Sequence, residues 1–216
     1  MKIKHTEIET EQLTKVLHNQ KVIDQTDAYF EGGRVYGIQG DSGSGKSVFL
    51  SMLCGLVRPT SGSIQINQKL LGTDIMQPDS VGIMIGRPVF LKEYTGFQNL
   101  QLLAAVRREI SNTHIRKMMD FVKLGSNERR RYGAYTPQMA QRLGIAAAFM
   151  EQPDILLLDG ATSELDPGGV DMLMDLIRRA RERDALIIIS DRNEGFLREL
   201  SDEIYYLSEG RLSAGA

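Results

Sequence analysis

The sequence predicts an α/β fold: a mostly parallel β-sheet with helices on both faces, broken by one long helical insertion. Three observations carry this reading. After residue 150, wholly apolar strand segments alternate with helical ones. A glycine-rich stretch at residues 40–45 stands between a strand pattern and a helix pattern. Between about residues 88 and 150 the spacing is helical, with no strand signal. Strands that are apolar throughout belong to sheets covered on both sides.

The elements follow in chain order. Ile3, His5 and Glu7 alternate with neighbours of other character and open a first strand; residues 22–30 form a second. Gly32-Gly33 marks a turn before a short apolar strand at 35–38. Val48, Leu50, Leu53 and Leu56 give residues 46–56 the spacing of a buried helix, stopped by Gly55 to Pro59. Ile64 and Ile66 share one face of a strand at 63–67, and Val81–Ile85 is a buried strand. In the insertion, Phe97, Leu100, Leu103 and Ala104 fall on one helical face, as do Ile115, Met118, Met119 and Val122. Residues 125–135 are polar, and 143–150 form a small, apolar helical run. The chain then reads as strand 155–159, helix 169–181, strand 185–190, helix 194–200 and strand 204–207.

Composition sets the outer limits. The 216 residues suit one domain with a sizeable core. Lys plus Arg number 26 and Asp plus Glu 28, a net charge of −2, which gives no broad electrostatic argument for nucleic acid. A single cysteine, Cys54, excludes an intrachain disulfide and a CxxC metal site, and fits a reducing compartment. The three histidines stand at 5, 18 and 114, too scattered for a metal site, and none follows. The strongest apolar runs, 155–158 and 185–189, fall far short of the roughly 18 residues of a helical span. The N-terminal residues lack the apolar core of a signal peptide. The expectation is a cytoplasmic chain whose membrane role, if any, comes through a partner.

Gly40, Asp41, Ser42, Gly43, Ser44, Gly45, Lys46 and Ser47 match G-x-x-x-x-G-K-[ST] without a gap, between strand and helix as the motif requires. Glycines let the backbone wrap phosphate oxygens with its N–H groups, and the following helix N-terminus adds partial positive charge. Lys46 would reach the β- and γ-phosphates of ATP, and the Ser47 hydroxyl would ligate Mg²⁺. Residues 155–159 form an apolar strand ending in Asp159, beside the crevice where such sheets bind nucleotides; its carboxylate is the second Mg²⁺ group.

With these residues in place, the chain resembles the ATP-binding cassette of ABC transporters over essentially its whole length. The resemblance rests on GDSGSGKS (40–47), QRLGIAAA (141–148), ILLLD (155–159) and TSELDP (162–167), in that order. YTGFQNLQLL (94–103) looks like the antibiotic-export type, and EIYYLSEGRL (203–212) like the closing strand and turn. The resemblance implies a P-loop NTPase fold, with a RecA-like α/β core, an antiparallel β subdomain and a helical subdomain. It places the core lobe at about 1–87 and 151–216 and the helical subdomain at about 88–150, in one cassette spanning 1–216. It also implies head-to-tail cassette dimers with two ATP molecules sandwiched between them, and a membrane permease as partner.

Several positions depart from the family pattern. Where a glutamate usually follows the Mg²⁺ aspartate stands Gly160, with Ala161 next. Losing a positioned general base costs about 10²–10⁴ in rate. The aligned position of the switch histidine is Arg192, and no histidine follows His114, so a shifted alignment supplies none. Arg192 reads as a solvated surface arginine, with γ-phosphate contact as the sharper alternative. Gly86 stands where Gln or Glu is usual. The signature loop aligns with Tyr135, Thr136, Pro137, Gln138 and Met139; Pro137 removes an N–H and Gln138 adds bulk. The adenine-stacking aromatic falls near Leu17, beside His18. Glu164, Asp166 and Asp191 are the available substitute bases.

The reading is therefore an ATP-binding subunit of an ABC transporter, of export type, peripheral at the inner membrane face through its permease. No catalytic residue is assigned. Cassette closure follows Mg-ATP binding, in a homodimer or beside a more competent cassette, with weak or absent hydrolysis. Two alternatives stand: a competent ATPase with non-standard residues, and an ATP-bound regulatory or scaffold protein. Arg129, Arg130 and Arg131 read as a solvated loop, Met118, Met119, Met172 and Met174 as core, and Cys54 as a small buried residue.

Overall fold

The computed structural model describes residues 6–107 and 110–215. Two sheets organise the chain. The first is antiparallel, in the order β2-β1-β4-β5: β1 (Glu7–Leu17), β2 (Gln20–Glu31), β4 (Ser61–Ile66) and β5 (Lys69–Leu70). The second has six strands in the order β10-β9-β3-β8-β7-β6. These are β3 (Val35–Gln39), β6 (Val81–Ile85), β7 (Ile155–Asp159), β8 (Leu186–Ser190), β9 (Glu203–Ser208) and β10 (Arg211–Ala214). All neighbours in it pair in parallel except β9 with β10.

The apolar runs are explained by the pleat. Successive side chains leave a strand on opposite faces, so a strand covered on both sides is apolar at every position. In β7, Leu156 and Leu158 join one core cluster while Ile155 and Leu157 join the other; in β8, Ile187 and Ile189 oppose Leu186 and Ile188. One face packs on α4 (Pro137–Phe149), α5 (Pro167–Glu182) and α6 (Glu194–Leu200). The other packs on α1 (Lys46–Leu53) and on the antiparallel sheet. Each fully buried Leu or Ile contributes about 1.5–3 kcal/mol.

Between β6 and β7 lie α2 (Gly96–Arg107), α3 (Asn112–Phe121), two short 3₁₀ turns at Gly125–Asn127 and Tyr132–Ala134, and α4. Phe97, Leu100, Ala104, Ile115, Met119 and Val122 are buried as their spacing predicts. Leu103 is not: it is 44% exposed, so the buried stripe of α2 is narrower than expected. Met172, Met174 and Cys54 are buried, and Arg129 to Arg131 are exposed.

Several boundaries differ from expectation. Helix α1 stops at Leu53, because Gly55 turns left-handed at φ +80 before Leu56 is reached. Helix α4 starts six residues before the apolar run, at Pro137, where Thr136 caps it by accepting from the Met139 N–H at 3.2 Å. Residues 88–94 are not helical. Strand β10, polar and at a sheet edge, carries too little apolar pattern to announce itself. The predicted strand positions Ile3 and His5 lie outside the described residues.

Candidate functional site

The carboxyl ends of β3, β8 and β7 lie side by side, and each carries part of one site. After β3 the chain wraps through residues 40–45 into α1. Gly45 sits at the N-terminus of α1 with φ +104, and a Cβ there would meet the Val22 carbonyl oxygen at 2.8 Å. No side chain caps α1 and no acidic residue stands in its first turn, so its N–H groups and partial positive charge remain free to face an anion. At Gly43 a Cβ would find nothing within 4 Å, so the loop's crest is open.

Lys46 folds back over this loop, donating to the Gly40 and Asp41 carbonyl oxygens at 2.6 and 2.8 Å and to Ser44 Oγ at 3.2 Å. Burial pushes its ammonium below the ordinary lysine value. Asp159 opposes that shift and Arg192 adds to it, with Asp41 opposing more weakly. Asp159 ends β7 directly beside Ser190 of β8. The Ser47 hydroxyl donates to one oxygen of the Asp159 carboxylate, and the Ser190 hydroxyl donates to the other at 2.9 Å. Of the eight loop residues singled out from sequence, Ser42, Gly43, Gly45, Lys46 and Ser47 line one cleft of about 810 Å³ together with Asp159, whereas Gly40, Asp41 and Ser44 line a neighbouring one beside Gly210.

Other acids around the cleft are already engaged. Asp191, 7% exposed, accepts from Thr162 N at 2.9 Å, Thr162 Oγ1 at 2.6 Å and Asn193 N at 3.0 Å. Glu164 pairs with Arg87 at 2.9 Å. Asp166 caps α5 through Gly169 N and pairs with the buried Arg142 at 2.8 Å. Gly160 follows Asp159 in the left-handed region at φ +66, and Gly86 is likewise at φ +70. Arg192 is exposed, as expected, but lines the cleft and donates to Ser42 Oγ at 3.4 Å.

The fit to Mg-ATP follows from this geometry. An uncapped helix N-terminus, an open loop crest, a lysine over the loop and a Ser–Asp pair in contact are the donor set that a nucleotide phosphate chain and Mg²⁺ require. A family model described as ABC transporter matches residues 23–163. The chain belongs to the ABC transporter family. It is 37% identical to an uncharacterized ABC transporter ATP-binding protein, YybJ of Bacillus subtilis (strain 168), over 95% of this chain and 94% of that one. It is 33% identical to the bacitracin transport ATP-binding protein BcrA of Enterococcus faecalis, covering 95% of this chain and 67% of the relative. Among solved structures, a dimeric bacterial ABC transporter cassette superposes with a TM-score of 0.87 at 21% identity, covering 95% of this chain and 96% of that one.

The cassette also uses residues that the sequence did not single out. Gln141, 2% exposed, donates its amide to the Gly160 and Ala161 carbonyls at 3.0 and 2.9 Å, bolting α4 to the loop after Asp159. Its place two residues ahead of the apolar run at 143–150 was the available signal. Leu17 and His18 sit at the β1–β2 hairpin turn, where Leu17 is 36% exposed; the residue of this hairpin that lines the cleft is Val22. Among the described residues, no helix is long and apolar enough to cross a membrane.

Proposed function

We propose that the chain is the Mg-ATP-binding subunit of an export-type ABC transporter in which nucleotide binding, rather than rapid turnover, drives cassette closure against a membrane permease. The observation that carries this is the contrast across Asp159. On one side the phosphate and Mg²⁺ groups are complete, with Lys46 over the loop and Ser47 against Asp159. On the other, Gly160 offers no side chain to orient water, and the nearby Asp191 and Glu164 are held by Thr162, Asn193 and Arg87. Residues 40–47 would bind the phosphates, and Ser47 with Asp159 would hold Mg²⁺, which supplies charge neutralisation to the phosphate oxygens.

Similarity to the bacitracin transport protein BcrA, and at 28% identity to the lantibiotic transport protein SrtF of Streptococcus pyogenes, supports a transport role directed at antibiotic peptides. The pairing with a permease and with a second cassette, identical or more competent, belongs to the same reading. So does the division into a core lobe and a helical subdomain at 88–150. The test measures ATP binding and steady-state hydrolysis on one preparation. Binding without turnover is expected; turnover at an ordinary transporter rate, without a partner, overturns the catalytic part.

A further inference from the structure

A second groove, of about 200 Å³, lies between α3 and α5. It is far from the nucleotide cleft. Glu164 lines that cleft, α5 begins three residues later, and its 16 residues carry the chain roughly 24 Å away. The floor of the groove is apolar: Met118 and Phe121 from α3, Phe149 at the end of α4, and Leu176 from α5. Its rim is basic: Lys117, Arg179 and Arg183, with His114 beside them. Among the described residues, no carboxylate lines it. Helical spacing sets both walls. His114, Lys117, Met118 and Phe121 share one face of α3, and Leu176, Arg179 and Arg183 follow one face of α5 and its cap.

The arginines around the end of α5 divide by face. Arg178 pairs with Glu199 at 3.0 Å and Arg181 with Asp202 at 2.6 Å, and neither lines the groove. Arg179 instead lies over the Phe121 ring, 4.8 Å from its centroid, and Arg183 donates to the Arg179 carbonyl oxygen at 3.0 Å. Among the described residues, neither of these two nor Lys117 pairs with a carboxylate. Burial pushes the Arg183 guanidinium below the ordinary arginine value, with Glu182 opposing. Cations at the carbonyl end of α5 suit the helix dipole. Lys117 and His114 have no such reason, since they stand in the first two turns of α3.

We propose that this groove binds a small amphipathic organic anion, its apolar body on Phe121, Phe149 and Leu176 and its anionic head between Arg179, Arg183 and Lys117. Guanidinium groups offer the head forked, charge-assisted hydrogen bonds, and the floor offers the body a surface out of water. The volume is below the about 300–1,000 Å³ of drug-sized pockets, so the body is a single ring or a short chain. The site is independent of the nucleotide reading.

The test follows amide NMR shifts of the full chain during titration with phenylbutyrate, and with phenylbutanol and acetate as body-only and head-only controls. Phenylbutyrate is expected to bind at about millimolar or tighter, with shifts clustered at 114–121 and 176–183, and each control about tenfold or more weaker. Arg179→Gln with Arg183→Gln should weaken phenylbutyrate about tenfold or more, and Lys117→Gln on the other wall should weaken it measurably. Arg178→Gln, which removes an equal charge outside the groove, should change it less than about twofold. The shifts should persist with Mg-ATP present. No binding, shifts clustered elsewhere, phenylbutanol binding as tightly as the acid, or equal losses in Arg178→Gln and the groove variants each overturn the site.

Discussion

Ser47 and Asp159, 112 residues apart in sequence, meet directly: the serine hydroxyl donates to the carboxylate that β7 delivers to the end of α1. Both are Mg²⁺ groups in the proposed reading, and Ser190 fixes the orientation of the carboxylate. Asp159→Asn removes the negative charge while keeping the shape. The expected result is loss of the Mg²⁺-dependent part of ATP affinity, by about tenfold or more. Titrations with Mg²⁺ and with EDTA check it, and a Mg²⁺ dependence retained in the variant refutes the role of Asp159.

In the proposed reading, an acid placed at Gly160 alone does not bring about rapid hydrolysis. Gly160 has open space around it, since a Cβ there meets nothing within 4 Å, but its φ of +66 disfavours any side-chain-bearing residue. Gly160→Glu should cost about 1–2 kcal/mol in stability. In the proposed reading its steady-state turnover should stay well below that of an ordinary transporter, because Gly86 still offers no side chain and Arg192 no neutral base to the cleft. Denaturant unfolding and phosphate release, measured together, test both halves.

The Arg142–Asp166 pair gives stability a pH signature. Burial raises the Asp166 carboxyl, but the charge and hydrogen bond of Arg142, with bonds from Gly169 and Gln138, outweigh it and hold the group below the ordinary carboxylate value. A carboxylate depressed in the folded state stabilises at pH above its unfolded value of about 3.9, and that stabilisation is lost as pH falls through the folded value. Asp166→Asn keeps a capping side chain for α5 and removes the charge. It should unfold at lower urea than the parent at pH 7, with the gap closing as pH falls through the folded value. High salt should narrow the gap at pH 7, because the Asp166 side chain is 55% exposed.

Gly82 in β6 is packed too closely for any side chain. A Cβ there would lie 2.0 Å from the Ala148 carbonyl oxygen and 2.8 Å from the Pro153 ring. Gly82→Ala is expected to destabilise the chain by about 2–3 kcal/mol by forcing α4 away from the sheet. Thermal unfolding checks this, and an unchanged midpoint contradicts the packing.

What the sequence disclosed depended on whether the physics was local. The phosphate loop was legible because its spacing is contiguous and its flanks are strand and helix. The doubly covered strands were legible because burial on both faces leaves them apolar throughout. Asp191 read as a possible base because it stands next to Arg192; its partner Thr162 lies 29 residues away. Gln141 and Arg87 were missed for the same reason, since the carbonyls and carboxylate they satisfy come from another loop. The start of α4 was hidden because Thr136-Pro137 read as a loop while serving as N-cap and first helical residue.

The strand order has a consequence for synthesis. Strand β3, which launches the phosphate loop, pairs with β8 on one side and β9 on the other, Val35 against Ile187 and Tyr36 against Glu203. Neither neighbour exists while the first 185 residues emerge from a ribosome. The antiparallel sheet is tied to the turn after β9, where the Gly210 carbonyl accepts from Asp24 N and Thr26 Oγ1. The nascent chain must therefore carry its phosphate loop unsupported for most of translation, and a ribosome stalled before residue 185 should display a chain sensitive to protease and unable to retain nucleotide.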